Sequence, residues 1–91
     1  MSEPGIQSRP RQVVELDLST FYSERAKLKD LDRYAAQIRE AVSPGAEVII
    51  TGAGPVWLYL KVAHLLHGIA ARLIYRSPVT GDLMIFDHRP E

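Results

Sequence analysis

Apolar positions along the chain change their period several times, and the periods predict strand, helix, strand, helix and then a strand pair. From Gln12 to Leu18 the pattern alternates. Val14, Leu16 and Leu18 point one way, and Glu15 and Asp17 the other with Val13. That alternation predicts a strand with one face on a core and one mostly wet. Leu28, Leu31, Ala35, Ile38 and Val42 then recur at spacings of three and four, with Lys27, Lys29, Asp32, Arg33 and Arg39 on the other faces. This spacing predicts an amphipathic helix. Ser23 is its expected N-cap with Glu24 in the first turn, and Ser43-Pro44-Gly45 its expected stop. Glu47-Val48-Ile49-Ile50-Thr51 is a short run apolar on both faces, as expected of a central strand covered by helices.

The second helix is expected from Pro55 to about His67, with Pro55 at its first position and Gly68 ending it. It is apolar nearly all round, and its narrow polar stripe is Trp57, Lys61, His64 and His67. Such a helix needs cover on more than one side, so a homodimer with this helix near the two-fold axis is expected. Ala70 to Arg76 predicts a third strand, Ser77-Pro78-Val79-Thr80-Gly81 a hairpin turn, and Asp82 to His88 an antiparallel fourth strand. Alternation places Met84, Phe86 and His88 on one face of that strand. Two helical crossovers imply three parallel strands with a hairpin at one edge. The expected fold is a small Rossmann-like α/β sheet of order β-α-β-α-β-β with a C-terminal β-hairpin.

Composition narrows the function classes. Ninety-one residues make a single domain, expected over 12–91, with a disordered lead-in over 1–11 that carries Pro4, Gly5, Ser8 and Pro10. Eleven basic residues balance eleven acidic ones, which excludes a uniformly basic coat for nucleic acid and makes self-association easy. The absence of cysteine excludes disulfides, thiolate metal sites and a cysteine nucleophile. No apolar run reaches the roughly 18–20 residues of a membrane span. The polar N-terminus lacks the apolar stretch of a signal peptide, so a cytoplasmic protein without a membrane partner is expected.

Candidate chemistry begins at Thr51-Gly52-Ala53-Gly54-Pro55, a glycine-rich turn between a buried strand and a helix start. Unpaired helix amides suit an anion there, and glycine lets a ligand approach the backbone. The turn is neither a P-loop nor a dinucleotide fingerprint, because the Lys-Ser/Thr pair and the third glycine are missing. From spacing alone, a ligand site and a purely geometric turn remain equal alternatives. His64 and His67 stand one helical turn apart and could share a metal ion or work as an acid–base pair. Arg76 and His88 could both stand near the crevice mouth, with Trp57 and Tyr75 as stacking surfaces for bases. Arg72 shares the face of Arg76 and reads better as part of a solvated edge.

Ile50-Thr51-Gly52-Ala53-Gly54-Pro55-Val56-Trp57-Leu58, then Ala63-His64-Leu65-Leu66-His67, Tyr75 and a late His88, resemble the third ring nuclease family of type III CRISPR systems. The resemblance covers roughly the second half of the chain. It implies a reduced Rossmann-like fold related to the CRISPR-associated Rossmann (CARF) sensors. It also implies a phosphodiesterase that binds and cleaves cyclic tetra-adenylate to switch off the antiviral signal. It implies a homodimer, with two dimers sandwiching the ring and Mn²⁺ supporting cleavage. The catalytic set so implied is His67, His64 and Arg76, and the substrate-binding set is Gly52, Ala53, Gly54, Pro55, Trp57, Tyr75 and His88. The family carries Asp-Pro-Arg after the tyrosine, whereas Tyr75 is followed by Arg76-Ser77-Pro78, so Asp82 is the stand-in carboxylate for a metal held with His64 and His67. The missing aspartate keeps an alternative open, a non-catalytic sensor module for cyclic oligoadenylate or RNA.

Overall fold

The computed structural model describes residues 12–89, so the expected lead-in over 1–11 lies outside the described residues. Strand β1 (Val13–Asp17) is followed by two short 3-10 turns, Leu18–Phe21 and Leu28–Asp30. Helix α1 (Leu31–Ala41), β2 (Glu47–Thr51), α2 (Val56–His67), β3 (Arg72–Ser77) and β4 (Gly81–Asp87) complete the order. The strands lie side by side in sequence order, β1-β2-β3 parallel and β4 antiparallel on β3. This is the small Rossmann-like α/β fold that the periodicity predicts.

An unreversed strand order with right-handed crossovers puts both helices on the same face of the sheet. The core agrees. Leu16, Val48, Ile50 and Leu73 pack from the sheet against Tyr34 and Ile38 of α1 and Leu58, Val62 and Leu66 of α2. The described residues cover one face only, which corrects the expectation for β2. Ile49 points to the bare face and stays half-buried beside the buried Val48 and Ile50. The bare face carries two rows of charge. Glu47, Arg72 and Asp87 form one, Glu15, Arg76 and Asp82 the other. After β3 the chain returns by a hairpin instead of a third helix. The Ser77 hydroxyl accepts the amides of Val79 and Thr80, and Gly81 takes φ +80°.

Two local expectations are corrected. Ser23 does not cap a helix, since α1 starts at Leu31 and Lys27 is extended at φ −125°, ψ 136°. The cause is Tyr34, which lies outside the apolar stripe read from the sequence. It is fully buried, and its hydroxyl accepts the Lys27 amide at 3.2 Å, an amide that a helix begun at Ser23 would spend on a carbonyl. Leu28, a member of that stripe, is 65% exposed. The second correction is a bulge. Leu73 pairs with Phe86 but Ile74 pairs with Met84, leaving Ile85 as the extra residue. Adjacent residues of β3 face opposite ways, so Met84 and Phe86 do too, and the expected common face of Met84, Phe86 and His88 is broken.

Candidate functional site

Gly52 turns the chain out of β2 at φ +99°. A Cβ there would stand 2.0 Å from Asp17 Oδ1, so glycine is required by the fold itself. Gly54 differs. Its nearest neighbours for a Cβ begin at 3.5 Å, on the Tyr22 hydroxyl, and its φ is not in the left-handed region. Packing therefore does not demand glycine at 54. Two phenols hold the turn from either side: Tyr22 Oη donates to the Ala53 carbonyl at 2.6 Å, and Tyr59 Oη donates to the Gly52 carbonyl. Thr51 Oγ1 donates to the Arg76 carbonyl at 3.0 Å and ties the end of β2 to β3.

Pro55 is the N-cap of α2, not its first helical residue, and its side chain offers no capping bond. The first helical bonds are those of Leu58 and Tyr59 to the Pro55 carbonyl. The amides of Val56 and Trp57 precede them and have no partner within the helix. Beside this helix start opens a cavity of about 830 Å³. The turn 51–54 forms its head, Val56, Tyr59, Leu60 and Ala63 one wall, and Tyr75, Ser77 and Ile85 the hairpin side. Tyr59 and Tyr75 meet edge to face at 5.2 Å. Burial pushes the Tyr59 phenol above its ordinary value, and Tyr75, Asp17 and Tyr22 add to the shift. Val56 is 74% and Leu60 65% exposed, so the wall is open and apolar.

Of the expected substrate-binding residues, Gly52, Ala53, Gly54 and Tyr75 line this cavity, as does Arg76. Pro55 and Trp57 do not line it; Trp57 packs on the hydrophobic core. Arg76 is already engaged. It makes two hydrogen bonds to Asp82, at 2.9 and 3.1 Å, and stands 3.6 Å from Glu15. The bond to Asp82 raises the Arg76 pKa and lowers that of Asp82.

The imidazoles lie away from the glycine turn, His64 next to Ala63 of the cavity wall and His67 one helical turn beyond it. At about 1.5 Å per residue, His67 stands roughly 16 Å along α2 from Val56. It meets Phe86 at 5.2 Å and His88 at 4.7 Å, both edge to face, while Phe86 and His88 stack at 4.5 Å. The His88 amide donates to the Ala71 carbonyl and pins this end of the hairpin. His88 is thus beyond the far end of β4 from the Arg76–Asp82 pair, which corrects its expected place at the crevice mouth. His64 and His67 are both exposed. Asp82, at the opposite end of β4, is not brought to them, and the described residues hold no group of three His, Asp or Glu placed for a metal ion. The trio His64, His67 and Asp82 does not fit a Mn²⁺ site within one chain. A stripe of side chains on one helix is continuous in projection, but the rise of the helix separates its ends.

Sequence reasoning missed Tyr59 and Tyr22, whose phenols brace the turn. Tyr59 carries a usable signal, since it is the polar-tipped residue one turn into an otherwise apolar helix. Tyr22 carries none, because its role depends on the loop after β1 folding back across the sheet.

Crevice and fold together define a small Rossmann-like protein with an open cavity at the carboxyl ends of parallel strands, the place where open α/β sheets commonly bind ligands. Residues 23–91 match the model of the CRISPR-associated protein (Cas_csx3) family, and the chain belongs to that family. No curated protein and no solved structure matches it significantly. No described helix is long and apolar enough to cross a membrane.

Proposed function

We propose that the protein is a ring nuclease that binds and cuts cyclic tetra-adenylate, ending the signal of a type III CRISPR system. The cavity beside the start of α2 carries the reading. Its apolar walls and paired tyrosines suit adenine faces, and the free amides of Val56 and Trp57 suit a phosphate. Membership of the Cas_csx3 family and the resemblance to ring nucleases through Gly52, Gly54, His64 and His67 support the substrate.

Cleavage of such a ring needs no nucleophile from the protein. The 2′-oxygen bonds to the adjacent phosphorus as the bond from phosphorus to O5′ breaks. A 2′,3′-cyclic phosphate and a 5′-hydroxyl result. A base takes the 2′ proton, an acid supplies one to O5′, and His64 and His67 are the groups suited to both tasks near neutral pH. They stand beyond the glycine turn along α2, His64 next to Ala63 of the cavity wall and His67 one helical turn past it. In the dimers and paired dimers the resemblance implies, a ring seated in one crevice also meets imidazoles from another copy of the chain. No step is assigned to a metal.

Incubation of labelled cyclic tetra-adenylate with the full chain, with and without Mn²⁺, tests this. Linear product is expected from the wild type, and His67→Ala should lose cutting while keeping much of its binding. Leu60→Trp, which fills the crevice, should also lose cutting. Mixing the two variants should restore part of it, and a mixture as inactive as either variant would remove the shared site. The engagement of Arg76 by Asp82 and Glu15 favours the second reading, a module that holds the ring without cutting it. Intact ring retained by the wild type would establish that one instead.

A further inference from the structure

A cyclic tetra-adenylate carries four phosphodiester charges, and the crevice does not balance them. Arg76 is the cation in its lining, and two carboxylates already hold it. Free amides at the start of α2 serve one phosphate. The remaining charge needs cations that are not already paired.

A second cavity, of about 510 Å³, lies between the loop after β1 and the start of α1. Arg25, Lys27 and Arg33 line it against the single carboxylate of Asp30. Asp30 pairs with Arg33 at 3.3 Å, and the Arg33 guanidinium sits 5.3 Å from the centre of the Tyr34 ring. Among the described residues, Arg25 and Lys27 have no ion-pair partner. The pocket is therefore net positive in a chain that is neutral as a whole. Tyr22 lines this pocket, and its hydroxyl bonds to Ala53, which lines the crevice. A single tyrosine side chain thus joins the two, and both open beyond the carboxyl ends of neighbouring parallel strands.

We infer that the Arg25–Lys27–Arg33 pocket is a phosphodiester-binding extension of the crevice, holding the backbone of an oligonucleotide whose bases occupy the apolar cavity. This rests on the ring-binding reading above and adds to it residues that the glycine turn and the histidines do not suggest. Exposed Arg and Lys give the interaction its electrostatic, salt-sensitive character, while the crevice supplies base selectivity.

The test measures binding of cyclic tetra-adenylate to the full chain across a series of salt concentrations. Arg25→Gln and Lys27→Gln, singly and together, should weaken binding at low salt and converge on the wild type at high salt. The slope of log affinity against log salt should become shallower by roughly 0.7 for each phosphate no longer neutralised. Lys27→Arg should keep the wild-type slope, as should Arg39→Gln in the last turn of α1. Both Arg25 and Lys27 are exposed, so melting temperatures should not move. A wild type that binds the ring, with variants of unchanged slope, overturns this inference alone. A wild type that does not bind the ring overturns the ring-binding reading and this extension with it.

Discussion

Gly52→Ala tests how the turn between β2 and α2 is built. Two costs add at this position. A residue with a Cβ at φ +99° pays the left-handed penalty of about 1–2 kcal/mol. The new Cβ would also stand 2.0 Å from Asp17 Oδ1 and 2.9 Å from Asp17 Cγ, so that side chain must swing away. Asp17 then loses the Ser19 amide at 3.0 Å and the Ser19 hydroxyl at 2.6 Å, the bonds that cap the 3-10 turn after β1. Loss of such a cap costs about 0.5–2 kcal/mol. Together the variant should lose about 1.5–4 kcal/mol, a large part of the roughly 5–15 kcal/mol of an ordinary small domain. Urea unfolding should show the loss as a lower midpoint at unchanged slope, and thermal unfolding as a fall of about 6–30 °C. Repeating the substitution in an Asp17→Ala background separates the two costs, because only the backbone penalty and the tight approach to the Leu18 amide at 3.1 Å remain. The increment should drop to about 1–2 kcal/mol there. An increment as large as in the wild type would refute the clash with Asp17, and a loss under about 0.5 kcal/mol in the wild type would refute both terms.

Gly54→Ala should leave stability within about 0.5 kcal/mol in the same urea assay, because a Cβ meets its neighbours at ordinary distances, yet weaken ring binding by filling the ligand's approach. Tyr34→Ala should cost about 3–5 kcal/mol by emptying a fully buried ring site, and Tyr34→Phe should cost less and loosen the Lys27 segment, read by faster amide exchange over 22–30. Tyr59 should ionise above its ordinary pH of 10.0, so ultraviolet titration should show a late phenol that Tyr59→Phe removes. Its folded pKa exceeds the unfolded one, because burial favours the neutral phenol. The charged form is therefore disfavoured in the fold, and stability should fall as pH rises past about 10. Asp87 is held down to about 2, chiefly by the Arg89 side chain and amide. Its contribution should be present above the ordinary carboxylate range and vanish as pH falls towards 2, and Asp87→Asn should flatten that acid limb of the stability profile.

The crevice is legible in the sequence because glycine, proline and a buried strand announce a turn in their own immediate neighbourhood. Gly52 and Gly54 look alike in sequence, yet only the first is fixed by its closeness to Asp17 of β1, far earlier in the chain. The start of α1 is illegible for a related reason. Ser23 and Glu24 carry the local signature of a cap, and a buried phenol from Tyr34 overrides it. The bulge at Ile85 follows from pairing with β3, which alternation within β4 cannot register. The spacing of His64 and His67 places them on one face of α2, yet it says nothing of their separation from the glycine turn, because spacing along a helix records direction around the axis and not distance along it.

The hairpin after β3 leaves unfilled the berth beside α2 where a third crossover helix would lie. The groove is therefore roofless among the described residues. If a second copy of the chain closes it, as the proposed dimer would, closure follows mass action, and retention of a bound ring should rise with protein concentration.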